Sequence, residues 1–147
     1  LLEKTQDEGS RRYNLTMAAI MVGRGTDNTG LGIATAISHV LTTKYSLDSG
    51  AAKAMLLPHL LTKCHTGDAL ANRLLALALN CQPEHTVQAC EQLNHRLSVT
   101  PQLRDLGIPT SDVTSIAKHC MTDWFSGGQD NPQQREQEIL QILEAAW

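Results

Sequence analysis

Phenylalanine, tryptophan and tyrosine together make up only 3% of this 147-residue chain, too few for the aromatic platforms on which single-stranded nucleic acids stack. Positive charge is not in excess either. Twelve Lys plus Arg face 15 Asp plus Glu, and no basic stripe is available to follow a phosphate backbone. Nucleic acid is therefore not an expected partner. No apolar run reaches the length of a bilayer span, and the start at Leu1 carries no basic-then-apolar signal, so neither membrane insertion nor export is expected. Cys64, Cys81, Cys90 and Cys120 form no Cys-x-x-Cys pair. Buried free thiols in a reducing, cytoplasmic setting are expected in place of a disulfide framework or metal knot. Strand-like alternation is missing throughout.

What is present is helix. A chain of this length buries a real core as one domain, residues 1–147, without disulfides or metal. From Leu2 to Val22, Tyr13, Met17, Ile20 and Met21 recur at helical spacing and predict one buried face. The following Gly23 to Gly30 stretch reads as a loop by composition; no strand precedes it and no Gly-Lys-Ser/Thr follows, so a connector is expected there, not a phosphate cradle. Two apolar helices come next, separated by a polar turn at Asp48, Ser49 and Gly50, with Pro58 inside the second. Past Thr66-Gly67-Asp68, a helix from Ala69 to about Cys81 places Leu70, Leu74, Leu77 and Ala78 on one face. Glu84 to Ser98 presents Val87, Cys90, Leu93 and Leu97. A short turn ending at Gly107-Ile108-Pro109 leads to Thr110, Ser111 and Asp112 as candidate caps, then to a helix carrying Val113, Ile116, Ala117, Cys120 and Trp124. Ser126 to Asn131 breaks the pattern, Pro132 suits a first helical turn, and Ile139, Leu140, Ile142 and Leu143 anchor the last helix. The predicted architecture is an all-α bundle of about seven helices.

The most informative segment is Gly30 to Leu61, GLGIATAISHVLTTKYSLDSGAAKAMLLPHLL. Its Gly30-Leu31-Gly32 start, the Ala36-x-x-His39 helix and Leu56-Leu57-Pro58-His59, with the later Leu106-Gly107-Ile108-Pro109, Asn131-Pro132 and Ala145-Ala146-Trp147, resemble the C-terminal helical domain of the iron-containing, NAD(P)-dependent alcohol dehydrogenases. Order and spacing agree along nearly the whole chain. The resemblance implies an oxidoreductase interconverting alcohols and aldehydes. In it a Rossmann-like N-terminal domain binds the nucleotide, and a divalent metal held by one Asp and three His polarises the alcohol oxygen. This chain would correspond only to the second half of that machine.

Residue by residue, the resemblance places two of the metal histidines at Thr35, four residues before His39, and at Ser49, just before Gly50. Hydroxyls of Thr and Ser are poor ligands for iron or zinc near neutral pH. The remaining Asp and His ligands would belong to a segment upstream of the first helix. No metal and no cofactor are therefore expected in this chain, and Asp48 reads as a solvated turn residue. His39 matches a family histidine that lies between metal and nicotinamide and helps the proton leave the alcohol, a task suited to imidazole; on the residues alone it reads as a hydrogen-bonded histidine on a helix face. His59 is expected to order its helix. Cys64 with His65, and His119 with Cys120, point apart on a helix and are not expected to chelate; His85 and His95 read as solvated.

Two functions follow from the resemblance and the pattern. One is the helical domain of an alcohol dehydrogenase-like oxidoreductase, inactive without its nucleotide-binding partner domain. The other is a non-catalytic helical interaction module or pseudoenzyme remnant on the same scaffold, with self-association as a dimer through the Leu56, Leu57, Leu60 and Leu61 surface expected.

Overall fold

A computed structural model of the chain describes residues 7–29, 31–64, 69–100, 102–126 and 131–147, without side chains at 28, 29, 64 and 69. Seven α-helices and three short 3-10 turns make up the described secondary structure, with no strand among the described residues. Among the described residues, no helix is long and apolar enough to cross a membrane. The chain divides into two units, one ending at Leu31 and one spanning Gly32–Trp147.

The first unit is built on α1 (Glu8–Thr29). Asp7 opens it: its carboxylate accepts the Ser10 backbone N–H at 3.0 Å and the Ser10 hydroxyl at 2.7 Å, satisfying a donor that a helix start leaves unpaired. Two expectations are corrected here. The helix does not stop at Val22 but continues through Gly23 and Gly25 to Thr29, so the expected Gly23–Gly30 loop is helical over its described part. Glycine costs a helix interior only about 1 kcal/mol, and Thr26 Oγ1 donates to the Gly23 carbonyl at 2.9 Å within this stretch. The stripe of Tyr13, Met17, Ile20 and Met21 is exposed, not buried, Met21 at 69%. Periodicity marks an apolar stripe; it does not supply the surface that covers it.

The second unit begins with α2 (Ile33–Tyr45) and α3 (Ser49–Cys64). Ser46 closes α2 in the left-handed region at φ 56°, its N–H donating to the Thr42 carbonyl at 3.0 Å. Asp48 is the cap of α3, accepting the Ala51 N–H on Oδ1 at 2.8 Å. Pro58 sits buried inside α3. A proline there has no N–H to give the carbonyl one turn back, and that carbonyl, of Ala54, receives the Asn94 side-chain amide at 2.7 Å instead. Asn94 lies on α5 (Thr86–Arg96), so one side chain repairs the proline's missing bond and ties two helices together.

α4 (Ala69–Leu79) packs on α5 and on the 3-10 turn Pro83–His85 between them. Fully buried Thr86 shares its hydroxyl proton between Asn72 Oδ1 at 2.8 Å and the Pro83 carbonyl at 3.1 Å. The face read as core on α4 points outward: Leu74 is 58% and Leu77 76% exposed, and Leu70 and Ala78 are exposed as well, while Ala76 is buried. On α5, Cys90 is buried, Val87 and Leu93 are half-buried, and Leu97 lies exposed just past the helix.

After a 3-10 turn at Leu103–Leu106 comes Gly107 at φ 77°, a left-handed backbone that favours glycine. It turns the chain into α6 (Thr110–Cys120), and α7 (Pro132–Ala146) follows the 3-10 turn Trp124–Ser126. Asn131 caps α7 through the Gln134 N–H at 3.2 Å, with Pro132 in the first turn as expected. Thr110, Ser111 and Asp112 do not cap α6, whose cap position is Pro109. Asp112 is drawn away to accept the Tyr45 hydroxyl at 2.6 Å; burial and this carboxylate push the phenol up to about 12. Trp124, read as core, is 83% exposed because α6 ends at Cys120 and the helical register is lost before it.

The core joins α2, α3, α6 and α7 around Ile37, Leu41, Leu56, Ile116, Ile139 and Leu143, all essentially inaccessible. Trp147 closes it from the chain's end, donating Nε1–H to the Ile108 carbonyl at 2.8 Å under the Arg104 guanidinium. Leu56 is consumed by this core and Leu60 and Leu61 are half-buried, leaving Leu57 as the exposed member of the expected association surface at 39%. The unit therefore covers most of that surface itself.

Candidate functional site

Residues of α2 and of the end of α6 with the turn after it line an open groove of about 500 Å³: His39, Val40, Thr43 and Lys44 from α2, His119 from α6, and Thr122 and Asp123 just beyond it. Helical spacing explains the first wall, since His39 and Thr43, four residues apart on α2, fall on one face while Ile37 and Leu41 turn into the core. The second wall exists because α6 stops at Cys120 and the backbone turns sharply through Asp123 toward the Trp124–Ser126 turn.

His39 is the best-held polar group here. Its Nδ1 lies 2.9 Å from Asp123 Oδ2, its ring meets Phe125 edge-on at 5.7 Å and 69°, and its side chain stays 46% exposed to the groove. Asp123 is in turn fixed by its other oxygen, Oδ1, which accepts the Phe125 backbone N–H at 2.8 Å. Burial opposes ionisation of Asp123, but the Phe125 N–H, the His39 hydrogen bond and the His39 charge outweigh it and hold the carboxyl below its ordinary value. An ionised carboxylate only accepts, so His39 Nδ1 carries a proton, and in the neutral imidazole it is Nε2 that bears the lone pair. His119 is oriented similarly: its Nδ1–H donates to the Ser115 carbonyl at 2.7 Å, a bond within its own helix.

The other residues singled out by sequence are placed as follows. Thr35 is buried on α2, and its carbonyl accepts the Ser38 hydroxyl at 2.9 Å. Ser49 begins α3 half-buried. Asp48, exposed as expected, has one oxygen committed to capping. His59 is half-buried beside Pro58; burial lowers its pKa while Glu91 of α5 opposes that. Exposed His119 and fully buried Cys120 point to different environments, and burial, with the nearby Asp123 charge, pushes the Cys120 thiol up to about 12. Cys81, Cys90 and Cys120 are free thiols. The Cys64 side chain and His65 lie outside the described residues, as do Thr66-Gly67-Asp68 and Gly127 to Asp130. His85 and His95 are exposed. Among the described residues no three His, Cys, Asp or Glu side chains gather as a metal-binding group.

Sequence reasoning missed Asp123, Phe125 and Lys44. Asp123 is 84 residues from His39, and no local motif announces a partner at that range. A lone acidic residue just beyond an apolar helical repeat was the only available signal.

Residues 1–147 match the Fe-containing alcohol dehydrogenase family, C-terminal. The chain is 27% identical over 143 residues to the lactaldehyde reductase of Escherichia coli strain K12, a match covering 90% of this chain and 37% of that protein. It is 31% identical over 117 residues to alcohol dehydrogenase 4 of Saccharomyces cerevisiae strain S288c, covering 76% of this chain and 31% of the yeast protein. A crystal structure of 1,3-propanediol oxidoreductase superimposes with a TM-score of 0.72 at 25% identity, covering 88% of this chain and 36% of that one. The chain thus spans only 31–37% of the length of these curated relatives.

Proposed function

The chain belongs to the Fe-containing alcohol dehydrogenase family as its C-terminal helical domain, and from that premise we propose that it is the proton-handling wall of an alcohol–aldehyde oxidoreductase whose nucleotide is held by a separate domain. The observation that carries the reading is His39, at the position where the resemblance places a proton-relaying histidine, exposed on a groove with its Nδ1 engaged. Its Nε2 is the atom that would take the hydroxyl proton of a bound alcohol as hydride leaves the carbon, and would return it in the reverse direction. The nicotinamide, when bound by its own domain, supplies the hydride acceptor.

The divalent metal of the family does not fit the residues found here. Thr35 and Ser49 offer neutral hydroxyls at the two positions the resemblance assigns to histidine, and the neighbouring carboxylate of Asp48 is already capping α3. Iron and zinc sites are built from imidazole, carboxylate or thiolate. The chemistry proposed for this chain therefore contains no step through a metal, and its metal site is read as degenerate.

Two measurements on the purified chain test this division of labour. Elemental analysis should find no stoichiometric iron or zinc, and adding imidazoles as Thr35→His with Ser49→His should give only weak binding, since two ligands fill half of a four-ligand site. NADH fluorescence titration should show no saturable binding at micromolar nucleotide. One metal per chain would overturn the degenerate reading of the metal site, and saturable nucleotide binding would place within these 147 residues a function assigned here to another domain.

A second reading, a helical interaction module on the same scaffold, is favoured by the exposed Leu74 and Leu77 of α4 and by Tyr13, Ile20 and Met21 of α1. Apolar stripes of this kind mark association surfaces, covered either by the nucleotide-binding domain or by a second copy in a homo-oligomer. On this reading light scattering should show mass rising with concentration, and Leu74→Glu with Leu77→Glu should return the chain to a monomer. A wild-type chain that stays monomeric at all concentrations removes the self-association branch.

A further inference from the structure

The groove holds a device that the matched motifs do not contain, and resting on the proton-handling reading of His39, we propose that Asp123 is a positioning residue that fixes His39 in a single tautomer with Nε2 as its only proton-accepting atom. An imidazole relays a proton productively only when the nitrogen facing the substrate carries the lone pair, and the hydrogen bond made by the opposite nitrogen decides that. Here the opposite nitrogen is Nδ1, 2.9 Å from Asp123 Oδ2. The carboxylate is held ionised, so it enforces Nδ1–H.

The same carboxylate has a second duty that makes its identity matter. Oδ1 accepts the Phe125 N–H at 2.8 Å, which fastens the Trp124–Ser126 turn and sets Phe125 edge-on against the His39 ring. One group thus serves two donors at once and brings in the aromatic edge that limits ring rotation. Asparagine, nearly the same shape, has one acceptor oxygen and one donor nitrogen. It can satisfy the Phe125 N–H or the His39 Nδ1–H, but not both. A purely structural Asp123, needed only to close the turn, would tolerate that change with no consequence at His39.

The neighbours define the role further. Thr122 Oγ1 donates to the His119 carbonyl at 2.7 Å, and His119 is committed to Ser115, so neither competes for His39 Nδ1 in the structure. Lys44, on α2 like His39, lies over its neighbour Tyr45 at 5.5 Å from the ring centre. The His39–Asp123 pair is then the arrangement found where a base must be oriented by a third group, with a carboxylate that steadies the imidazolium after proton uptake without becoming protonated itself.

The test is nitrogen-15 NMR of the histidine side chains in the isolated chain above the titration range of imidazole, with His39 assigned by its loss in His39→Gln. The wild type should show His39 as the Nδ1–H tautomer at roughly ten to one or better. D123N should convert it toward the mixed populations of an untethered ring, while His119 keeps its own Nδ1–H and the backbone amide spectrum stays native. Asp123→Glu, which keeps both acceptor oxygens, should restore part of the preference. A mixed or Nε2–H His39 in the wild type overturns the proposal even if every variant fails to fold, as does an unchanged tautomer in a folded D123N chain. The readout needs neither nucleotide nor metal, so it stands or falls separately from the titrations that test the proposed function.

Discussion

Iodoacetamide at pH 8 should label Cys120 about a thousandfold more slowly in the folded chain than in the denatured one. Alkylation goes through the thiolate. An ordinary thiol with a pKa of 9.0 is about one-tenth ionised at that pH, whereas burial, reinforced by the Asp123 charge, pushes Cys120 up to about 12 and leaves about one part in ten thousand as thiolate. Its zero accessibility adds a steric barrier in the same direction. The sign of the linked pH effect follows. A folded-state value above the unfolded one contributes stability that is fully present below about pH 9 and is lost as pH rises through about 12. Peptide-resolved mass spectrometry of a labelling time course checks the rate ratio. Comparable labelling in folded and denatured samples would mean that Cys120 is not part of the α6–α7 core.

Asn94→Ala should destabilise the chain by about 1 kcal/mol, the low end of the cost of leaving a backbone acceptor without its donor, because this one is only part-buried. The acceptor is the Ala54 carbonyl, orphaned by Pro58 and served by Asn94 Nδ2 at 2.7 Å. The prediction becomes sharper as a double-mutant cycle. In a Pro58→Ala background the helix regains an N–H at position 58 that reaches Ala54, so the same Asn94→Ala change should cost well under half as much. Denaturant melts of the four proteins measure the difference. Equal costs in both backgrounds would show that Asn94 acts through its packing and not through the carbonyl that the proline exposes.

Much of the helical plan was legible because helix starts and stops are local chemistry. Pro132 stands in the first turn of α7 and Gly107 ends the short turn before α6 in the left-handed backbone, both as read, whereas the caps made by Asp48 and Asn131 came only from the structure. Family membership was legible for a similar reason: spacing between short motifs survives in the chain itself, and the match over residues 1–147 bears it out. Buried faces were read correctly where the periodic stripe had a partner, as in Val113, Ile116, Ala117 and Cys120 of α6 against α7. They were misread on α1 and α4, because a stripe of leucines is the same sequence whether it meets a core or water. Glycines in α1 misled in the opposite sense, since about 1 kcal/mol each is a bias and not a stop.

The sequence by itself determined the all-α class, the helix order, the hydroxyls at Thr35 and Ser49, and the presence of His39 on an early helix. Only the tertiary structure decided what His39 touches, which carboxylate orders it, and which carbonyl Asn94 rescues. Those pairings join residues 84 and 40 positions apart. Caps and turns are set by neighbours within a few residues, whereas a hydrogen bond across a bundle depends on how every intervening helix packs, and no local pattern encodes that distance.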